Sequence, residues 1–436
     1  MPAPPDQPYA RPERGCPVPR WGAAALALVA AVLSLALTAC DGVAPVATGA
    51  PVIERDLDEI LIPAGEPIVI GVSVPLTGSQ QPEGSEDADA IITSVVRWKE
   101  GNGERIGGHE IELRVEDDGC TEEEITVQAA RRLIDTPGLV GVVGPDCSTG
   151  ARAALPLYAE AGVVAISGSA TDSSLALTQP SGGFFFRTAY RNSFQGLVGG
   201  LFVATELGAR TAYLIDDGET YGIDLTDAAE TVMREQGVAV TRDSAPLGTV
   251  DFGPIVQRII EADPDFVGFA SFNPDVSLLY RQLRDAGYAG DFGAGDAAAS
   301  VQTFVEPVGR ESAEGVYFVG CPLTLPEDFL ADFERVHGDR PDASAFVAQY
   351  ADAATLLLDA VARVAEERED GSLVIGRTAL RDAVRAAELD DGLSGRITFD
   401  ERGDRSSSEA DLTAQALDFG VAACQVQDGR LVNLFP

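Results

Sequence analysis

Positive charge is scarce in this chain. Lysine and arginine total 31 against 69 aspartates and glutamates, a formal net charge of −38 over 436 residues. A surface of that sign repels nucleic acid and anionic lipid, which excludes a phosphate-backbone binder. Histidine is scarcer still: only His109 and His337 occur, and both are read as surface residues. Six cysteines are present without any C-x-x-C pair, so zinc-knuckle spacing is missing and no metal site is expected. There is no G-x-S-x-G elbow, no dinucleotide fingerprint and no phosphate loop. With so few histidines, a hydrolase would have to rely on Asp/Glu or Ser/Lys chemistry, and no candidate pair stands out. These gaps point away from an enzyme, and no cofactor is expected.

The N-terminus carries a targeting segment. Arg11, Arg14 and Arg20 precede the apolar run from Trp21 to Leu37, which ends in Leu37-Thr38-Ala39-Cys40. A basic flank, an apolar core and small residues before the cut are the parts of a secretion signal. The last four residues resemble the lipobox of bacterial lipoproteins, which implies that residues 1–39 are removed and that Cys40 carries lipid. The run is short for an uncut transmembrane anchor. Residues 40–67, rich in Ala, Pro, Gly and acids, read as a tether. Cys16 is lost with the leader, and Cys120, Cys147, Cys321 and Cys424 remain. An even number in an oxidising compartment suggests disulfides. Paired in sequence order, Cys120–Cys147 closes a loop of about 28 residues, worth roughly 3.5 kcal/mol in the chain-entropy model.

The folded part is organised around Leu139-Val140-Gly141-Val142-Val143-Gly144-Pro145-Asp146-Cys147-Ser148-Thr149-Gly150. An apolar valine-rich run reads as a buried strand. Gly144-Pro145 breaks it, and a helix is expected from Ser148 or Thr149 to Ala161. Strand-end loops that feed helix N-termini aim N–H groups at a crevice where an open α/β sheet holds an anion. Elsewhere apolar runs at Ile68–Val74, Ile111–Glu116, Val163–Ile166, Phe184–Arg187, Thr211–Ile215, Val238–Val240, Phe266–Phe269 and Val316–Val319 alternate with segments of helical spacing. Helices are expected at Ala88–Lys99, Ala345–Glu369 and Gly376–Leu389, among others. Residues 395–404 and 422–426 read as a small antiparallel addition. The rhythm is that of parallel sheets with helices on both faces, and its restart near Thr188 indicates two lobes.

Several motifs in fixed order carry a resemblance. They are Ile70-Gly71-Val72 with Pro75-Leu76-Thr77-Gly78, Ile111-Glu112-Leu113 with Glu116-Asp117-Asp118-Gly119-Cys120, and Gly144-Pro145-Asp146-Cys147-Ser148. Ser167-Gly168-Ser169-Ala170-Thr171, Phe186-Arg187-Thr188, Tyr221-Gly222 and residues 395–404 follow. Over Ile68 to Leu431 the chain resembles the leucine/isoleucine/valine-binding proteins, type I periplasmic solute-binding proteins of ABC transporters. The resemblance implies an α/β fold of two Rossmann-like lobes joined by three crossovers, residues 66–188 with 319–392 and residues 189–318 with 393–434. It implies capture of a small aliphatic amino acid for the permease subunits of an ABC importer, by a monomer held to the membrane only through lipid. An amide or urea binder and a sensing domain for a membrane receptor are the alternatives.

Position by position, the family's carboxylate site falls on Ser148 with Ser169, Ala170 and Thr171, and its ammonium site on Asp296. Asp296 stands where glutamate is usual and is one methylene shorter. Tyr221 and Phe272 fall on pocket walls, and the family disulfide falls on Cys120–Cys147. The Cys321–Cys424 pair rests on counting. Simpler readings stay open at this point: Ser148 and Thr171 as helix caps, Asp296 as a surface acid, Tyr221 as helix packing. The chain departs from the family at Ser79–Asp89, an acidic stretch without an aromatic, read as a loop forming one side of the pocket.

Overall fold

The computed structural model describes residues 58–177, 183–408 and 412–434. The leader, Cys40 and most of the tether lie outside the described residues. Ile68–Val74 is buried at every position, as a strand covered by helices on both faces must be. It pairs in parallel with His109–Asp117 on one side and Leu139–Val143 on the other. Val164–Ser167 and Phe185–Arg187 extend that sheet in parallel. Helices Gln81–Asn102 and Val347–Val364 fill one face, with Ile91, Val95, Leu357 and Val361 in the core. Helices Glu123–Ile134 and Ser148–Glu160 fill the other through Ala130, Leu133, Ala154 and Leu155.

The second lobe repeats the plan. Its sheet runs through Ala239–Ser244, Thr211–Asp216, Phe266–Ala270, Asp291–Ala294 and Tyr317–Val319 in parallel, then adds Ala423–Gln427 and Arg430–Asn433 antiparallel. The chain passes between the lobes after Phe185–Arg187, after Tyr317–Val319, and again before Ala423–Gln427. Both disulfides form: Cys120–Cys147 beside the cleft, and Cys321–Cys424 beside the crossover that follows Tyr317–Val319.

Five expectations change. The acidic stretch is largely helix, because Pro82 near the first turn and Glu83 suit a helix start. Within the expected tether, Glu59–Ile62 is a strand paired with Leu373–Gly376, and its Ile60 and Ile62 enter the first lobe's core. Leu373–Gly376 and its other antiparallel partner, Glu366–Glu367, take residues from both expected C-terminal helices; the first ends at Val364 and the second spans only Arg377–Arg385. Residues 395–405 form only isolated bridges and pack on the first lobe, where Phe399 meets Phe186 with ring centroids 5.3 Å apart. His109 is also buried, with Nδ1 2.7 Å from Glu66 O, and His337 Nδ1 lies 3.1 Å from Asp89.

The lobes are closed on each other. Gln80 Nε2 donates to Asn273 O at 2.8 Å, and Thr303 Oγ1 donates to Glu83 Oε1 at 2.7 Å. Thr149 Oγ1 donates to Glu219 Oε2 at 2.8 Å, and the Ser173 N–H donates to Asp224 Oδ2 at 2.9 Å.

Candidate functional site

Leu139–Val143 ends at Gly144, whose φ is +119°. A Cβ there would stand 2.2 Å from Ser73 O, so only glycine lets the two strand ends approach this closely. The Gly144–Pro145 bond is cis, and the chain turns through Asp146 and Cys147 into the helix Ser148–Glu160. Cys147 occupies the N-cap position without a side-chain cap bond. The Ser148 hydroxyl instead accepts the Asp172 N–H at 3.1 Å. Ser148 therefore does not cap its own helix; it ties two strand-end loops together.

The second of those loops is held from below. Arg187, fully buried, donates from Nη1 to Ala170 O at 2.9 Å and to Asp172 O at 2.8 Å, and from Nε to Asp404 Oδ1 at 2.7 Å. Ser169 Oγ donates to Asp146 O at 2.9 Å and lies 2.7 Å from the Tyr350 hydroxyl. Arg187 and Tyr350 thus position the loop without reaching the cleft.

Between the lobes lies a cavity lined by residues of both. Ser148, Ser169, Tyr221, Phe272 and Asp296 all line it. Tyr221 and Phe272 stack as a tilted pair with centroids 5.4 Å apart. Ala170 and Thr171 are buried but stand behind the wall, outside the lining. The Ala170 N–H is already taken by Ser167 Oγ at 3.0 Å. The cavity joins the two seryl hydroxyls, the aromatic pair and Asp296.

Asp296 is buried. Tyr190 Oη donates to its Oδ2 at 2.9 Å, and the Ala297 N–H donates to Oδ1 at 2.7 Å. Burial raises its pKa to about 6, with the Tyr221 and Tyr190 hydroxyls and the Ala297 N–H pulling the other way.

Sequence reasoning missed part of the opposite wall. Gln80, Glu83, Asp87, Asp146 and residues 343–346 also line the cavity. Burial raises Glu83 to about 7 against the Thr303 hydrogen bond. Burial raises both Asp87 and Asp146, and the neighbouring Asp146 charge adds to the rise at Asp87. Glu86 anchors the 343–346 wall by accepting the N–H groups of Asp342, Ala343 and Ser344 at 2.7 to 2.9 Å. The signal for Glu83 and Asp87 lay in the acidic stretch, and Asp146 sits inside the organising motif. Residues 343–346 carried no local signal. Among the described residues, no lysine, arginine or histidine lines the cavity.

Residues 67–415 match the family model described as periplasmic binding protein. An amino acid binding protein of Pseudomonas aeruginosa is 30% identical over 263 residues, 60% of this chain and 69% of that one. A leucine-, isoleucine-, valine-, threonine-, and alanine-binding protein of the same organism is 24% identical over 78% of this chain and 88% of its own length. The crystal structure of a leucine-binding protein from Thermotoga maritima superposes with a TM-score of 0.71 at 25% identity, covering 84% of this chain and 97% of that one.

Proposed function

Because this chain belongs to the periplasmic binding protein family, we propose that its cleft captures a small α-amino acid for delivery to the permease of an ABC importer. The family consists of extracytoplasmic solute-binding proteins, and the chain is not an enzyme. The relatives' names make aliphatic amino acids the first ligands to test. The observation that carries the reading is the pairing across one cavity of Asp296 with Ser148 and Ser169. The α-ammonium goes to Asp296. The carboxylate goes to the Ser148 hydroxyl and the N–H groups at the start of the helix Ser148–Glu160, where the helix dipole favours an anion, with Ser169 beside it in the lining. Tyr221 and Phe272 cover the side chain.

A zwitterion held this way favours the closed form, since its two charges meet groups on opposite lobes. Anchoring through lipid on Cys40 keeps the protein beside its permease, and mass spectrometry of the mature N-terminus tests that part.

Asp296→Ala should fold normally and lose about 2–5 kcal/mol of affinity for leucine, isoleucine or valine, the range for truncating one side of a buried charged pair. The matching carboxylic acids without the amine should lose far less. Calorimetry measures both. Equal losses for the two ligand types, or tight binding of an uncharged amide or urea by the wild type, would overturn the assignment.

A further inference from the structure

The wall opposite Asp296 holds more negative charge than an aliphatic zwitterion uses. Glu83, Asp87 and Asp146 line it, and no cation lines the cavity among the described residues. Glu83 Oε1 is engaged by Thr303, whereas its Oε2 is buried without a hydrogen-bond partner. A carboxylate oxygen only accepts, so the partner of Glu83 Oε2 must bring a donor. A donor carried by the ligand completes that atom.

We propose that the cleft has a third subsite, built by Glu83 with Asp87, for a second positive charge, so that α-amino acids with an ammonium or guanidinium side chain bind in addition to aliphatic ones and more tightly. The inference rests on the amino-acid reading above and adds to it. The ligand's α-ammonium meets Asp296, its carboxylate meets Ser148 at the helix start, and its side-chain cation meets Glu83 Oε2. The groups facing Glu83 are Asp87, Asp146 and Glu86 from the first lobe and Thr303 from the second. All the ionisable ones are acids, so an incoming cation is the only positive charge there and draws protons off them.

Calorimetry with ornithine, lysine, arginine and leucine, repeated at pH 7 in buffers of different ionisation enthalpy, tests this. The expected result is at least tenfold tighter binding of one of the three basic amino acids than of leucine, with proton release for that ligand only. Glu83→Gln should shrink the preference at least fivefold and abolish the proton release. Leucine binding without any basic amino acid would overturn the subsite and leave the amino-acid reading standing. Binding of simple diamines with no binding of any α-amino acid would overturn both. Equal proton release with leucine would also overturn the subsite, whether or not the variant folds.

Discussion

The molecule buries charge in two ways. Under the Ser169–Asp172 loop, Arg187 and Asp404 form a 2.7 Å ion pair at 0% and 1% side-chain exposure. Arg405, also buried, donates to Thr188 O, Ser394 O and Ser394 Oγ at 2.7 to 2.9 Å. In the cleft, Asp296, Glu83, Asp87 and Asp146 are buried or nearly so with hydroxyls and N–H groups around them but no cation. The first arrangement pairs Arg187 with an opposite charge and fixes a loop. The second is incomplete, since neutral donors offset only part of the cost of burying a carboxylate. Arg187 is buried with its counter-charge beneath the loop; the cleft carboxyl groups are buried without one.

The same kind of substitution should therefore act oppositely in the two places. Asp404→Asn leaves Arg187 buried without its counter-ion and should lower unfolding free energy by about 3–5 kcal/mol. Asp296→Asn removes a carboxylate whose ionised form is disfavoured by burial. It should leave the ligand-free protein as stable or stabilise it by about 1–3 kcal/mol at pH 7–8, from a pKa raised to about 6 at roughly 1.4 kcal/mol per unit. Urea titrations of both variants decide the matter. Destabilisation of similar size at the two positions would erase the distinction.

A smaller effect follows from pH. Asp296 is raised to about 6, and Glu83, Glu86, Asp118 and Asp217 to about 7, each chiefly by burial. Above their unfolded values the folded state binds more protons than the unfolded chain, so stability falls as pH rises through that window. Exposed acids lowered by arginine partners, such as Asp328 beside Arg97, act in the opposite sense but only below the ordinary carboxylate range. The ligand-free protein should melt several degrees lower at pH 8 than at pH 5, and saturating ligand should flatten the slope. A melting temperature that rises over this interval would contradict the unpaired state of these groups.

The paired site and the cleft were not equally legible from sequence. Strands announced themselves because parallel strands are apolar throughout, as in Ile68–Val74, and the Gly144–Ser148 turn stood out by its glycine and proline. Ser148, Ser169, Tyr221, Phe272 and Asp296 gather at one cavity because each follows a strand end; local pattern shows the strand ends, and the family resemblance pointed to these residues. Arg187 was visible only as part of a motif. Its role depends on Asp404, 217 residues away, and no periodicity reports such a contact. Residues 343–346 reach the cleft because Glu86 binds their N–H groups, again a distant pairing. The strand at Glu59–Ile62 was hidden inside a composition typical of tethers. Its alternate burial of Ile60 and Ile62 becomes meaningful only once Leu373–Gly376 lies beside it.

The finest test concerns the closure that brings the two walls together. Thr149 bridges the lobes through its 2.8 Å bond to Glu219, yet it does not line the cavity. Thr149→Val keeps the β-branched shape and removes only the donor. The net value of such a bond is about 0.5–1.5 kcal/mol, which belongs to the closed form alone. Other interlobe bonds remain, among them those from Gln80, Thr303 and Ser173, so closure should be weakened and not lost. A shift of about 1 kcal/mol changes the open-to-closed ratio roughly fivefold. Affinity falls only in proportion to the closed fraction that disappears, because a ligand contacting both walls binds that fraction. Small-angle scattering of the ligand-free variant should show a larger radius of gyration than wild type, calorimetry should show up to about fivefold weaker binding, and the two saturated proteins should scatter identically. Weaker binding with unchanged ligand-free scattering would mean that Thr149 acts within its own lobe, and the link between closure and the facing carboxylates would have to be given up.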